Sequence, residues 1–325
     1  MTDKAVFKKI NDLFKKEDYF LLTSHLDPDG DSIGSLIGLR EFLKSLGKKV
    51  VAYNDGNLPD KYKFLVANNQ IRFSNQAPEF KPRVAVILEC PEIARIGFVQ
   101  NFINTDMIRV NIDHHPRNKL YGDLNYVDES ASAVAEILYD IIKSNGHNIS
   151  PKIAESFYAA IASDTGRFKF ANTSSKCFST ASQLVEAGAN PKLISDKIFS
   201  TYSAGTIKLL GNLLENLELH DNGNICILKL TLENLNKYGV NVADTEGIID
   251  YSLVISGVKV GILFKEQGPQ SVKVGLRSQN SIDISRFARS KGGGGHANAA
   301  GFKVNNDLNK TVANTVAEVA AYLNG

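Results

Sequence analysis

Three aspartates and a histidine crowd the stretch HLDPDGDSIGS, in which His25, Asp27, Asp29 and Asp31 follow the apolar run Tyr19-Phe20-Leu21-Leu22-Thr23. Further along, Glu89 closes RVAVILE, Asp113, His114 and His115 close MIRVNIDHH, and Asp164 ends the helical pattern IAESFYAAIAS and opens the turn DTG. Carboxylates gathered on one rim repel and drive one another's pKa values up unless a cation joins them. The simplest such cation is a divalent metal, and the number of donors suits two. Each piece also has a plainer reading. DPDGD makes a good Asx-rich turn or helix N-cap, with Asp31 favouring the helix dipole. Two adjacent histidines can be one core and one surface residue, and the aspartate of SDTG can be a turn former. What favours a site is coincidence, since three of the chain's six histidines and most of the strand-end carboxylates fall on one expected edge.

The elements that must position these residues are legible as α/β grammar. In the first half, short apolar runs alternate with helical patterns, the signature of a mostly parallel sheet with helices on both faces. The strand candidates are FLLTS, KVVAYN, RVAVILE and MIRVNID. Helices are expected from Ser32 to Leu46, closed by Gly47, from Ser132 to Ser144, and from Ser150-Pro151, an N-cap and first-turn pair, to Ser163. The N-terminal segment places Val6, Ile10, Leu13 and Phe14 on one helical face. In an open parallel sheet, ligands bind beyond the carboxyl ends of the strands, where these polar residues lie. A helix near Ser175 to Ala187 ends the first domain, residues 1–187. The Gly-, Pro- and polar-rich stretch 188–205 reads as a linker, and residues 206–325 as a second, smaller α/β domain with strands near NICILKL, VKVGILFK and SVKVGLRS and a terminal helix from Asn309.

Composition narrows the function classes. A chain of 325 residues exceeds one ordinary hydrophobic core. With 37 basic against 35 acidic residues, the net charge of +2 argues against electrostatic binding of long nucleic acid. Cys90, Cys177 and Cys226 form neither a metal-ligand spacing nor an even disulfide framework, which fits a reducing cytoplasm. The first residues hold no apolar signal core, and no run approaches the ~20 apolar residues of a membrane span.

The motifs HLDPDGDSIGS, IDHHPRN, AAIASDTGRFKF and RSQNSIDISRFARSKGGGGHANAAGF resemble, in order and over nearly the whole chain, those of the DHH phosphoesterase superfamily, specifically members with the DHH-associated C-terminal domain. The architecture is similar to that of the stand-alone bacterial nano-RNases, which also remove the 3′-phosphate from phosphoadenosine phosphate (pAp) and cleave linear dinucleotides such as pApA or pGpG. This resemblance implies two manganese ions, His25 and Asp29 holding one and Asp31, His114 and Asp164 the second. It places a bridging carboxylate at Glu89, where the family usually has aspartate; the extra methylene requires a compensating backbone. Arg95 matches a recurrent arginine of that segment and reads equally well as a surface charge.

The implied chemistry is in-line attack on phosphorus by a hydroxide shared between ions ~3.5–4 Å apart. His115 would bond a phosphate oxygen or assist the leaving oxygen, Asp113 would support the histidines from outside the metal, and Asp27 reads as structural. Gly292, Gly293, Gly294 and Gly295 would offer backbone N–H groups to phosphate, with Arg277, Ser278 and His296 beside them. A flexible glycine turn is the plainer alternative. In relatives this element holds the terminal phosphate or nucleotide, and a cleft between the domains would favour short substrates. The implied partners are therefore short RNA or small nucleotides, with a homodimer as a further expectation. Two other readings stay open: a nucleotide-binding regulatory protein whose catalysis Glu89 impairs, and an inorganic pyrophosphatase, against which the GGGGH segment speaks.

Overall fold

A computed structural model describes residues 3–67, 70–199, 202–245, 247–279 and 281–324. The chain forms two compact units, Met1–Thr201 and Tyr202–Gly325. The first runs α1 (Asp3–Lys16), β1 (Tyr19–Thr23), α2 (Gly30–Ser45), β2 (Lys49–Ala52), β3 (Val84–Leu88), β4 (Ile108–Asp113), β5 (Leu124–Val127), α3 (Val134–Ser144), α4 (Pro151–Asp164), α5 (Ser175–Glu186) and α6 (Pro191–Phe199). Its five strands are all parallel, in the order β2-β1-β3-β4-β5. Every residue of β3 is buried, as its unbroken apolar run requires of a central parallel strand.

The two sheet faces are covered differently. Phe20, Leu22, Val84, Val86, Val110 and Ile112 pack with α1, α2, α3 and α4. Leu21, Val51, Ala85 and Ile87 pack instead under Ile96 and Val99 of the 3₁₀ segment Ile93–Phe102, so the second face carries tight turns in place of long helices.

The chain leaves β1 for β2 on one side of the sheet and returns to β3 on the other, which opens a crevice beyond the carboxyl ends of β1 and β3. The helices above it are brought close by a glycine stripe. A Cβ on Gly30 would lie 2.1 Å from Ser163 Oγ, one on Gly34 2.3 Å from the Ser156 carbonyl oxygen, and one on Gly38 2.1 Å from the Phe157 ring. Only glycine at this spacing lets α2 lie directly on α4, and the contact draws the start of α2 to the end of α4.

The expected linker at 188–205 is largely helical. Residues 200 and 201 lie outside the described residues, but α6 buries Ile194 and Ile198 in the first unit, and α7 (Ala204–Glu215) opens the second. Its composition looked like a linker because α6 is short and mostly exposed, with Ile194, Ile198 and the partly buried Phe199 packed against the core.

The second unit continues with β6 (Glu218–His220), β7 (Ile225–Leu230), α8 (Leu232–Tyr238), β8 (Val260–Gly268), β9 (Ser271–Ser278), α9 (Ile284–Ser290), β10 (Gly294–His296), β11 (Ala299–Val304) and α10 (Leu308–Asn324). Its sheet is mixed, in the order β10-β11-β9-β8-β7-β6, with β7 and β8 parallel and the other pairs antiparallel. Among the described residues, no helix is long and apolar enough to cross a membrane.

Candidate metal centre and phosphate element

Parallel register sets the first part of the site. Thr23 lies beside Ile87 and Leu88 beside Ile112, so the residues that follow β1, β3 and β4 meet at one rim. There His25 Nε2 stands 2.8 Å from a Glu89 carboxylate oxygen and 3.9 Å from Asp29 Oδ2. Asp29 is also the N-cap of α2, accepting the Ser32 amide at 3.0 Å, so the helix starts two residues earlier than the expected Ser32.

Glu89 is 1% exposed and takes a left-handed backbone, φ +53°, a conformation costly for a long side chain and one that re-aims it out of the strand. Its backbone N–H still donates to the Ile112 carbonyl at 3.0 Å, so the turn begins at Glu89 itself.

A second cluster adjoins the first. His114 Nε2 lies 3.9 Å from Asp31 Oδ2 and 3.7 Å from Asp164 Oδ2. Asp31 is wholly buried and accepts the backbone amides of Val134 at 2.6 Å and Ala135 at 3.2 Å, with Ser35 Oγ at 2.8 Å. It thereby caps α3 from another helix, and α3 starts two residues later than the sequence pattern implied, because Ser132 spends its hydroxyl on Glu136 at 2.5 Å.

Two donor triads, His25–Asp29–Glu89 and Asp31–Glu89–His114, each have ligand atoms within 4.8 Å of one another, and Glu89 belongs to both. The histidines are oriented for such a role. Nδ1 of His25 donates to the Leu26 carbonyl at 2.5 Å, Nδ1 of His114 to the Ala131 carbonyl at 3.1 Å, and Nδ1 of His115 to Asp113 at 2.8 Å. Each outer acceptor fixes the tautomer and leaves Nε2 facing the carboxylates, the arrangement metal-bound histidines adopt. Hard oxygens with imidazole nitrogens, buried and converging, fit divalent cations.

Protonation follows the crowding. Burial, reinforced by the charge of Glu89, pushes Asp31 up to about 7. Burial likewise pushes Asp164 up to about 8, with His114 opposing and Asp31 adding. For His25, burial alone would lower the pKa, but Glu89 outweighs it and carries the value to about 10; the same pairing holds the Glu89 carboxyl well below its usual range. His114 reaches about 9 because Asp164 and Asp31 outweigh its burial. His115 is raised and Asp113 lowered, each by the other against the effect of burial.

Asp113 sits behind this rim. Its Oδ1 accepts the backbone amides of His114 at 2.8 Å and His115 at 3.2 Å, and its Oδ2 accepts Asn118 Nδ2 at 2.6 Å. His115 Nε2 is 3.7 Å from Glu89. Asp27 is exposed in a left-handed turn, and Arg95 is exposed while its carbonyl accepts the Leu26 amide at 2.7 Å. Sequence reasoning missed Ser32, whose hydroxyl bonds both Glu89 and, at 3.1 Å, His25, although its position three residues after the N-cap is a signal.

In the second unit the expected phosphate element is partly committed elsewhere. The Gly292 and Gly293 amides donate to Arg289 at 3.0 Å and Ala288 at 2.9 Å, closing α9, so those two N–H groups do not serve an anion. A Cβ on Gly293 would meet the Gly301 carbonyl oxygen at 2.1 Å and one on Gly295 the Ala299 carbonyl oxygen at 2.4 Å, so these glycines let β10 lie against β11. Gly294 faces open space. Ser278 is buried, donating to the Ile282 carbonyl at 2.6 Å and accepting from Asn298 at 3.1 Å. Arg277, on β9, is half-buried and held by Asp250 at 3.1 Å. His296 ends β10, partly exposed.

The rim and its donors form a candidate divalent-metal centre on an α/β fold. The family model for the DHH family, N-terminal domain, matches residues 20–161, and that for the DHHA1 domain matches residues 222–324. A Streptococcus mutans protein named probable bifunctional oligoribonuclease and PAP phosphatase NrnA is 31% identical over 91% of this chain and 93% of its own length. The Bacillus subtilis bifunctional oligoribonuclease and PAP phosphatase NrnA is 30% identical over 88% and 90%. The crystal structure of an exopolyphosphatase-related protein from Bacteroides fragilis superposes with a TM-score of 0.90 at 27% identity, covering 98% of this chain and 95% of that one. The chain belongs to the DHH family and carries its DHHA1 domain.

Proposed function

We propose that the protein is a manganese-dependent phosphohydrolase of short oligoribonucleotides, of linear dinucleotides such as pApA and pGpG, and of pAp. The observation that carries this reading is the placement of Glu89 at the meeting point of two donor triads. His25 and Asp29 hold one ion, Asp31, His114 and Asp164 the other, and Glu89 lies between. Such a pair of cations, when bound, supplies positive charge to the phosphoryl oxygens and lowers the pKa of water at the site. The chain's own residues do the rest. Asp113 accepts from His115 Nδ1 and strengthens the ring's hold on a proton, so that Nε2 can donate to a phosphate oxygen or to the leaving oxygen. Arg277 and His296, with the open face at Gly294, take a terminal phosphate through charge-assisted bonds. The names of the Streptococcus and Bacillus relatives support the substrate class.

The test is a panel of initial rates on pAp, pApA, pGpG, cyclic dinucleotides and RNA of 2 to 24 nucleotides, with Mn²⁺ against Mg²⁺. Mononucleotide release that needs Mn²⁺ and is fastest on the short linear substrates is expected. Equal or faster rates on the 24-mer would refute the short-substrate reading, and tight binding of pApA without turnover would favour the regulatory one.

A further inference from the structure

We propose that Asn172 is a positioning residue for one ion of the pair, the one assigned to Asp31, His114 and Asp164; this rests on the two-ion reading above. Asn172 lies in the loop between α4 and α5. Its Nδ2 is 3.1 Å from the Ser132 carbonyl oxygen, 3.2 Å from the Asp164 carbonyl oxygen and 3.4 Å from Asp164 Oδ2. All three neighbours are acceptors, which settles the orientation of the amide: the flipped form would set oxygen against oxygen three times.

The Ser132 segment is where the other two ligands are anchored. Ala131, one residue earlier, offers its carbonyl to His114 Nδ1, and Val134 and Ala135, just beyond, offer their amides to Asp31. A single side chain therefore joins the support of Asp31 and His114 to Asp164 itself. Among the described residues, none of its hydrogen bonds reaches His25, Asp29 or Glu89.

Asp164 needs such a tie more than the other ligands do. It is the last residue of α4, where the helix carbonyls present negative potential to a carboxylate. The three residues from Gly166 to Phe168 all have left-handed backbone, φ +55°, +65° and +62°, so the turn that follows is not a continuation able to hold it by helical hydrogen bonds. A donor reaching Asp164 from Asn172 offsets the end-of-helix field and fixes the carboxylate against the 131–135 segment.

The test is Mn²⁺ titration of the full chain by calorimetry, with paramagnetic resonance of the bound ions, on the wild type, Asn172→Ala, the isosteric Asn172→Asp, and Asp29→Ala as comparator. The wild type binds two ions. Asn172→Ala and Asn172→Asp keep one at wild-type affinity and bind the other about 10–100-fold more weakly, the usual effect of removing a partner behind a ligand. Asp29→Ala weakens the ion that the Asn172 variants leave intact, so Asn172→Ala combined with Asp29→Ala weakens both. Melting of Asn172→Ala in chelator stays within a few degrees of the wild type. Two ions bound at wild-type affinity by Asn172→Ala would overturn the assignment. So would equal weakening of both ions together with a large fall in melting temperature, which marks a role in the fold at large. A wild type that binds fewer than two ions refutes the two-ion reading instead, before any variant is measured.

Discussion

Replacing Glu89 by glutamine keeps its shape and removes one buried charge. In the metal-free protein that charge faces the imidazolium of His25 at 2.8 Å, and the two side chains are among the most buried polar groups of the site. The pairing holds His25 at about 10 against an ordinary 6.5, so at pH 7.5 it contributes on the order of 3 kcal/mol. In the variant His25 sheds its proton and its Nε2 accepts from the glutamine N–H, which keeps a hydrogen bond and loses only the charge pairing. That places the cost at the low end of the ~3–5 kcal/mol typical for breaking a buried pair. For a unit of this size, each kcal/mol lowers the melting temperature by about 2–4 °C, so a fall of roughly 6–12 °C in chelator is expected by calorimetry. Because Glu89 belongs to both triads, Mn²⁺ titration should show both ions weakened together and turnover of pApA collapsing with them. Glu89→Asp is the sharper probe: aspartate accepts the left-handed backbone more readily, but its shorter chain leaves the carboxylate short of one triad, so one ion and most activity are lost. Unchanged two-ion binding and unchanged rate in Glu89→Gln would remove Glu89 from the site, and higher activity in Glu89→Asp would show that glutamate here is a lesion.

The pH dependence of stability should have a definite sign. Asp31, Asp164, His25 and His114 all bind protons more tightly folded than unfolded, so stabilisation fully present below about pH 4 for the carboxylates and 6.5 for the histidines is lost as pH rises through about 7 to 10. The melting temperature in chelator should therefore fall from pH 6 to 9, and Mn²⁺, which displaces those protons, should stabilise more at pH 9; a flat profile in chelator would contradict the crowded-carboxylate account. Gly34→Ala sets a methyl 2.3 Å from the Ser156 carbonyl oxygen, so α2 must lift from α4 at a cost of about 1–3 kcal/mol, read by thermal melting, with weaker metal binding as Asp31 leaves Asp164; wild-type melting would refute the close-approach argument. Arg277→Ala should raise KM for substrates with a terminal phosphate by roughly 10–150-fold, the equivalent of a charge-assisted bond of about 1.5–3 kcal/mol, with little change in kcat; equal KM values across the substrate panel would exclude Arg277 from phosphate capture.

Which residues stand at the rim was legible from the sequence, because a central parallel strand such as β3 is apolar on both faces and its first charged residue, Glu89, comes only where it ends. VAVIL followed by Glu89, and VNID followed by His114 and His115, carry that information locally, whereas the helix pattern pointed to a start at Ser32 and the structure starts α2 at Gly30 with Asp29 as its cap. The glycine-rich GGGGH segment was legible as a motif, but not as chemistry: which N–H groups remain for a ligand depends on where α9 ends and how β10 meets β11. Tertiary structure alone decided how the rim residues group. That Asp31 caps a helix 103 residues away, that Gly30, Gly34 and Gly38 lie on α4, that Glu89 turns left-handed to stand in both triads, and that Asn172 ties Ser132 to Asp164 are all consequences of contacts between segments far apart in the chain. Periodicity and capping rules report what a residue does to its own neighbours within a few positions; a hydrogen bond or close approach between distant segments leaves no such local trace, and exists only once the sheet has set those segments side by side.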